Sequence, residues 1–185
     1  MTETPKTGWT NKRQACILTG QKNGVTVIDV DGDMKWYEAF CDKYDIPPTT
    51  TVLTPSGGKH EYFEYDSRVK NCTKGFSNAT KAKRAGLNPD EHAIDIDCRN
   101  DGGVAVMPGS VYNISKEDRV KKKHKVKFIG KPYLWQIDDD SDEGELRGFD
   151  FIQPLPEIFV QWAHRGLNKK TMELLPVRPN TGKIT

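Results

Sequence analysis

No stretch of this chain approaches the ~20 consecutive apolar residues that a membrane-crossing helix requires, so no span is expected. Cysteine is sparse. Cys16, Cys41, Cys72 and Cys98 lie far apart with no C-x-x-C pair, which points away from a zinc module and from a disulfide framework. The opening Met1-Thr2-Glu3-Thr4-Pro5-Lys6 lacks the apolar core of a secretion signal. The chain is therefore expected to be intracellular and reduced, and the glycosylation triplets at Asn71, Asn78 and Asn113 to be accidental. Net charge is also nearly lacking: 28 basic against 26 acidic residues leaves +2, too little to imply a nucleic-acid partner by itself. Internal repeats are absent.

What is present fits one well-packed domain of 185 residues, with a polar surface. The charges are unevenly placed. Residues 119–127 are strongly basic and residues 138–145 strongly acidic. The acidic run reads as a solvated loop. The basic run, with Lys121, Lys122, Lys123 and Lys125, reads either as a phosphate-binding patch or as a sheet edge guarded by lysines.

Alternation and turn residues predict short strands over 15–20 and 24–30, joined by a turn at Gln21–Gly24. Met34, Tyr37, Cys41 and Tyr44 recur at helical spacing, and Pro47-Pro48 stops the helix; its aromatic stripe reads as core. A hairpin follows, from Thr50–Thr54 to Lys59–Tyr65 around Pro55–Gly58. Residues 70–90 read as a loop. A second hairpin is expected from 93–98 to 104–107 across the turn at Asn100–Gly103, then one or two strands over 125–137. A last helix opens at Pro154 and carries Ile158, Phe159 and Trp162 on its apolar face; beyond Gly166 the composition is linker-like. This order predicts an α+β domain on a mainly antiparallel sheet.

One apolar run ends in two aspartates, Val27-Ile28-Asp29-Val30-Asp31. Residues two apart on a strand share a face, about 6.6 Å apart. Carboxylates so placed can converge on two divalent cations about 3.5–4 Å apart, the spacing used in phosphoryl chemistry. The same segment is also good turn and helix-cap material through Gly32 and Asp33. A calcium loop is excluded, because Met34 stands where such a loop needs glycine and Phe40 where it needs glutamate.

Three further features bear on that pair. Ser56-Gly57-Gly58-Lys59-His60 offers backbone amides, a fixed positive charge and an imidazole to a phosphate, or else is a plain hairpin turn with a surface histidine. Asp95 and Asp97 again share a strand face; buried without a counter-charge they would repel, and a metal removes that problem. Arg99 could pair with them or with a phosphate. His92, His124 and His164 read as dispensable.

Together these segments resemble the archaeo-eukaryotic primase superfamily, in particular the bifunctional primase-polymerase (prim-pol) domains of viral, plasmid and other mobile-element replication proteins. The resemblance rests on Val27–Asp31, on Thr54-Pro55-Ser56-Gly57-Gly58-Lys59-His60, and on Asp97-Cys98-Arg99 ahead of Gly102-Gly103. Weaker echoes are Val106–Ser110, Tyr133-Leu134-Trp135 and Leu155-Pro156-Glu157. It covers about Ala15 to His164, most of the chain.

The resemblance implies an RRM-like catalytic core, here with a shortened N-terminal αβ unit. Residues 1–14 would be an extension, 15–165 the catalytic domain and 166–185 a linker or tail. It implies Asp29, Asp31 and Asp97 as catalytic ligands of Mg²⁺ or Mn²⁺, with Asp95 the alternative third ligand. His60 would contact the incoming nucleotide's triphosphate, helped by Lys59, Gly58, Ser56 and Arg99, while Lys121, Lys122, Lys123 and Lys125 follow a single-stranded DNA template. The expected activity is template-directed nucleotidyl transfer from NTP or dNTP, as DNA primase, DNA polymerase or both. No helicase motif follows in the chain, so a replicative helicase is expected in cis or in trans. The rival readings are a metal-dependent nuclease and a non-catalytic module that binds single-stranded nucleic acid.

Overall fold

Strand alternation sorts the residues of this chain onto two very different faces of one sheet. In the computed structural model, which describes residues 14–72, 83, 86–88, 94–136 and 149–177, the strands are β1 (Cys16–Leu18), β2 (Val25–Val30), β3 (Thr51–Leu53), β4 (Lys59–Glu64), β5 (Ile96–Arg99), β6 (Val104–Val106) and β7 (Leu134–Trp135). The helices are α1 (Met34–Lys43), α2 (Lys116–Lys121) and α3 (Glu157–Arg165). Five strands form the main sheet in the order β5-β2-β4-β3-β7, every pair antiparallel, while β1 and β6 pair by themselves. The α+β class and antiparallel sheet expected from sequence are what the chain forms. The N-terminal extension up to residue 13, most of the 70–90 loop, His92 and the acidic run fall outside the described residues.

On one face, Ile28 and Val30 of β2, Phe63 of β4, and Ile96 and Cys98 of β5 join Tyr37 and Phe40 of α1 and Phe159, Val160 and Trp162 of α3 in the larger core. Phe40 stands at its centre, its ring 5.1 Å from Trp162 and 5.9 Å from Phe159. Each such fully buried side chain contributes about 1.5–3 kcal/mol. Helix α1 begins where it does because Asp33 accepts a hydrogen bond from Trp36 N at 3.1 Å. On the opposite face a smaller core holds Val27, Val52, Tyr62, Ala105 and Tyr133, with β6 covering it.

The expected second hairpin does not form. β5 joins β2 in the main sheet, whereas β6 leaves to pair with β1. Buried Asn100 makes the switch: its side-chain amide donates to the carbonyls of Asp66 and Val69, both at 2.9 Å, and its own carbonyl accepts from Thr19 Oγ1 and Gly103 N, both at 2.7 Å. These bonds turn the chain out of the sheet plane before it can fold back on β5. The turn at Gln21–Gly24 does form, closed by a single bridge between Gly20 and Val25, after which β1 and β2 part. Of the one or two strands expected over 125–137, β7 forms, whereas the stretch from Lys125 belongs to a 3₁₀ helix over Lys123–Phe128, directly after α2.

Residues 166–177, where composition suggested a linker, are packed. Leu167 and Leu174 form an antiparallel bridge, and Leu167 is fully buried. Trp36 Nε1 donates to the Lys169 carbonyl at 2.8 Å and Lys43 Nζ to that of Thr171 at 2.7 Å, so the segment is strapped across α1. The apolar residues that do this are too few to show a period, which is why composition concealed them. Leu167→Ala is expected to destabilise the protein by about 2–5 kcal/mol in chemical denaturation, the range for emptying a buried leucine site; a loss under about 0.5 kcal/mol would return the segment to the status of a surface tail.

Candidate functional site

The register of three neighbouring strands builds the site. Asp29 of β2 stands opposite Asp97 of β5 on one side and opposite His60 of β4 on the other. Because side chains alternate, all three point to the face away from α1, and so does Asp31, two residues beyond Asp29. Asp29 is 9% exposed, and Asp31 lies at the open rim.

Arg99, on the same face of β5, ties the carboxylates together. Its Nη2 donates to Asp29 Oδ2 at 2.8 Å and to Asp97 Oδ2 at 2.9 Å, and its Nε reaches Asp29 at 3.2 Å. Burial acts to lower the guanidinium's proton affinity, but the hydrogen bond to Asp29 and the charges of Asp29, Asp97 and Asp31 overcome it and hold Arg99 firmly charged. His60 Nε2 lies 3.4 Å from Asp29 Oδ1, and its ring is 5.9 Å from that of Tyr133. Burial pushes the imidazole below the ordinary histidine range, with Asp29 and Asp31 opposing in part, so His60 is neutral at pH 7.

A cavity of about 250 Å³ opens beside this row. It is lined by the charged or titratable Asp29, Asp31, His60, Arg99 and Lys125, the hydroxyl-bearing Thr54 and Ser56, and Val104–Val106, Tyr112 and Tyr133. Thr54 and Tyr112 were not singled out from sequence. Thr54 lies inside the hairpin motif and could have been, whereas no local pattern marks Tyr112.

Several expectations need correction. Lys59 does not face the cavity. It sits one residue from His60 and so on the opposite side of β4, where it pairs with Glu61 at 2.6 Å and lies 4.8 Å over the Tyr37 ring; Tyr37 in turn donates its hydroxyl proton to Glu61. The Gly57 and Gly58 amides are not offered to a ligand either. They close the turn, Gly57 N donating to the Thr54 carbonyl at 3.0 Å and Gly58 N to Thr54 Oγ1 at 3.1 Å. Gly58 is required for another reason: a Cβ there would lie 2.2 Å from the Val30 carbonyl oxygen, so only glycine lets the hairpin abut the end of β2. Ser56 does reach the cavity, its Oγ 3.1 Å from Thr54 Oγ1.

Asp95 stands one rung beyond Asp97, exposed beside Gly32, its carbonyl accepting from Asp31 N at 3.1 Å. It lines a separate small crevice with Trp36, whereas Asp97 reaches the site through Arg99. Lys121, Lys122 and Lys123 are exposed and outside the cavity; Lys125 alone of the four turns in, its Nζ 3.6 Å from Asp31 Oδ2.

Asp29, Asp31 and Asp97 are an oxygen-only donor set of the kind Mg²⁺ or Mn²⁺ prefers, and two adjacent strands bring them together. Their donor chemistry suits a divalent ion. The side chains are turned onto Arg99 and Lys125, so that among the described residues no three His, Cys, Asp or Glu side chains close on a single point. An ion binding there would have to compete with two organic cations, Arg99 and Lys125.

The chain matches the family model described as bifunctional DNA primase/polymerase, N-terminal, over residues 2–143. It belongs to the Prim-Pol family. That match takes in the whole Asp97–Asp29–His60 row and the Ser56–Gly58 turn, and it ends before α3. No curated protein matches the chain. Membership makes DNA and nucleotides the substrates of the fold, and among the described residues no helix is long and apolar enough to cross a membrane.

If Gly58 serves close approach rather than phosphate binding, Gly58→Ala should lower stability by about 1–3 kcal/mol with no nucleotide present, as forced overpacking does. Chemical denaturation measures this. An unchanged midpoint, with only nucleotide affinity reduced, would restore the phosphate role.

Proposed function

We propose that this Prim-Pol domain performs template-directed nucleotidyl transfer, as a DNA primase, a DNA polymerase or both, on NTP or dNTP substrates. The observation that carries the reading is the row Asp97–Asp29–His60 across β5, β2 and β4, with Asp31 on the same face at the cavity mouth. Asp29, Asp31 and Asp97 hold the divalent ions. Mg²⁺ or Mn²⁺ bound there supplies Lewis acidity to the attacking hydroxyl and charge neutralisation to the pyrophosphate that leaves.

The remaining groups are the protein's own. His60, kept neutral by burial, donates a hydrogen bond to a triphosphate oxygen without adding a charge to an already crowded site. Arg99, once released from the carboxylates, presents a planar fork suited to phosphate. Thr54 and Ser56 hydroxyls serve the same substrate from the hairpin side. In the transfer itself the 3′-hydroxyl gives up its proton to solvent, its oxygen bonds to the α-phosphorus, the bond from that phosphorus to the bridging oxygen breaks, and pyrophosphate departs with the electron pair. What supplies the hydroxyl distinguishes priming from extension, and the same site serves both.

Exposed Lys121, Lys122 and Lys123, on α2 and the turn after it, follow the backbone of the template strand. The single-stranded template is what a replicative helicase, in cis or in trans, delivers. The family's occurrence in viral and mobile elements is the natural setting.

The test is incubation with a single-stranded template, Mn²⁺ or Mg²⁺ and labelled nucleotides, reading strand synthesis together with pyrophosphate. Asp29→Ala/Asp31→Ala should cut both by at least roughly a thousandfold, the several kcal/mol that ligated ions supply to the transition state. Chelation with EDTA should do the same. Strand shortening without pyrophosphate would mark a nuclease, and synthesis that survives in the double variant would defeat the assignment.

A further inference from the structure

Lys125 differs from every neighbour in the basic run. Lys121, Lys122, Lys123, His124 and Lys127 are exposed, Lys127 lying over the ring of Phe128. Lys125 is directed instead into the cavity that holds Asp29, His60 and Arg99, its side chain 29% exposed and its Nζ 3.6 Å from Asp31. The backbone fixes that direction. Lys125 N donates to the Lys122 carbonyl at 2.8 Å in the 3₁₀ turn, and the turn is anchored by Gly130 N donating to the Tyr112 carbonyl at 2.9 Å.

A half-exposed pair of this kind adds little to stability, so Lys125 is not placed there to hold the fold. Its partner is a carboxylate that, on the reading above, a divalent ion must occupy. An ammonium and a dication cannot both be well served by one exposed carboxylate, because the two cations repel. Released from Asp31 but tethered by the 3₁₀ turn, Lys125 stays at the mouth of the cavity. There the group of opposite charge is the triphosphate of the incoming nucleotide, for which lysine is a compact point-charge ligand.

We propose that Lys125 is a nucleotide-binding residue that exchanges partners: it pairs with Asp31 until a divalent ion takes that carboxylate, then engages the substrate's triphosphate, apart from the template-following Lys121–Lys123. The proposal rests on the metal-site reading above. It makes Lys125 a competitor of the ion and a helper of the nucleotide, two effects of opposite sign from one side chain.

Three equilibrium measurements on the full chain test it, with Lys125→Ala and, as a bulkier replacement, Lys125→Gln. Free Mn²⁺ read by electron paramagnetic resonance, without nucleotide, should show binding tightened roughly two- to fivefold, the scale of one exposed ion pair. Affinity for a fluorescent dNTP with Mn²⁺ present should weaken roughly tenfold, as expected for loss of one charge-assisted contact. Affinity for a single-stranded oligonucleotide, read by anisotropy, should stay as in the wild type. The triple variant Lys121→Ala/Lys122→Ala/Lys123→Ala should show the reverse, with weaker oligonucleotide binding and unchanged Mn²⁺ and nucleotide affinities. Failure of either the Mn²⁺ or the nucleotide affinity to move in the Lys125 variants overturns the exchange, as does a loss of oligonucleotide affinity matching the triple variant. Asp29→Ala/Asp31→Ala separates the two levels: if it abolishes Mn²⁺ binding while Lys125→Ala behaves as wild type, the exchange alone is wrong. Mn²⁺ binding that survives in that double variant overturns the metal site as well.

Discussion

The pairing of β2 between β5 and β4 is the constraint on which the rest of the molecule depends. Its side-chain period of two gives each strand one apolar and one chemical face: Ile28, Val30, Ile96, Cys98 and Phe63 against the helices, and Asp29, Arg99 and His60 against the cavity with Asp97 on the same face. A slip of one residue in any of the three strands would bury an aspartate among aromatic rings and expose an aliphatic side chain. The helical core is therefore also what aims the site. The tightly packed rings of Phe40, Phe159 and Trp162 make that slip too unfavourable to occur.

Gathering carboxylates has its own difficulty, because like charges directly opposite on neighbouring strands, as Asp29 and Asp97 are, repel. Arg99 meets it from within the same strand as Asp97, so that the residue creating the repulsion and the residue relieving it lie two positions apart. The arrangement keeps Asp29 and Asp97 close enough to share one guanidinium nitrogen, Nη2 of Arg99. Lys125 does the corresponding task for Asp31 at the exposed rim. The carboxylates of the site are thus balanced in charge by Arg99 and Lys125.

Much of this was legible in the residues. The Asp29–Asp31 pair, α1 and the β3–β4 hairpin follow from local period and turn chemistry, and the structure carries them as expected. Lys59 was misplaced because a motif read as a string of useful residues ignores that neighbours on a strand face opposite ways; His60 and Lys59 cannot both line one cavity. The sequence offers the Gly57 and Gly58 amides to phosphate, but both are needed to close their own turn, a demand that only the bonds to Thr54 disclose. The missing hairpin, the packed 166–177 segment and the inward turn of Lys125 all depend on contacts distant in sequence. Asn100 reaching Asp66 and Val69, or Lys169 reaching Trp36, leaves no local trace.

The face of β4 opposite the cavity bears on how firmly His60 is held. Lys59 and Glu61, which flank it in sequence, are locked to each other and to Tyr37 of α1. Burial, reinforced by Glu61, keeps the Tyr37 hydroxyl protonated far above its usual range, so it remains a donor to Glu61 at any pH the protein meets. Cys41 beside it is pushed up to about 12, burial first and Glu61 second, and stays a neutral thiol. With both neighbours pinned to the helix, the backbone at His60 has little freedom to rotate, and the imidazole stays fixed between Asp29 and the Tyr133 ring. Lys59 therefore serves the site through the sheet rather than across the cavity, by fixing the strand that presents His60.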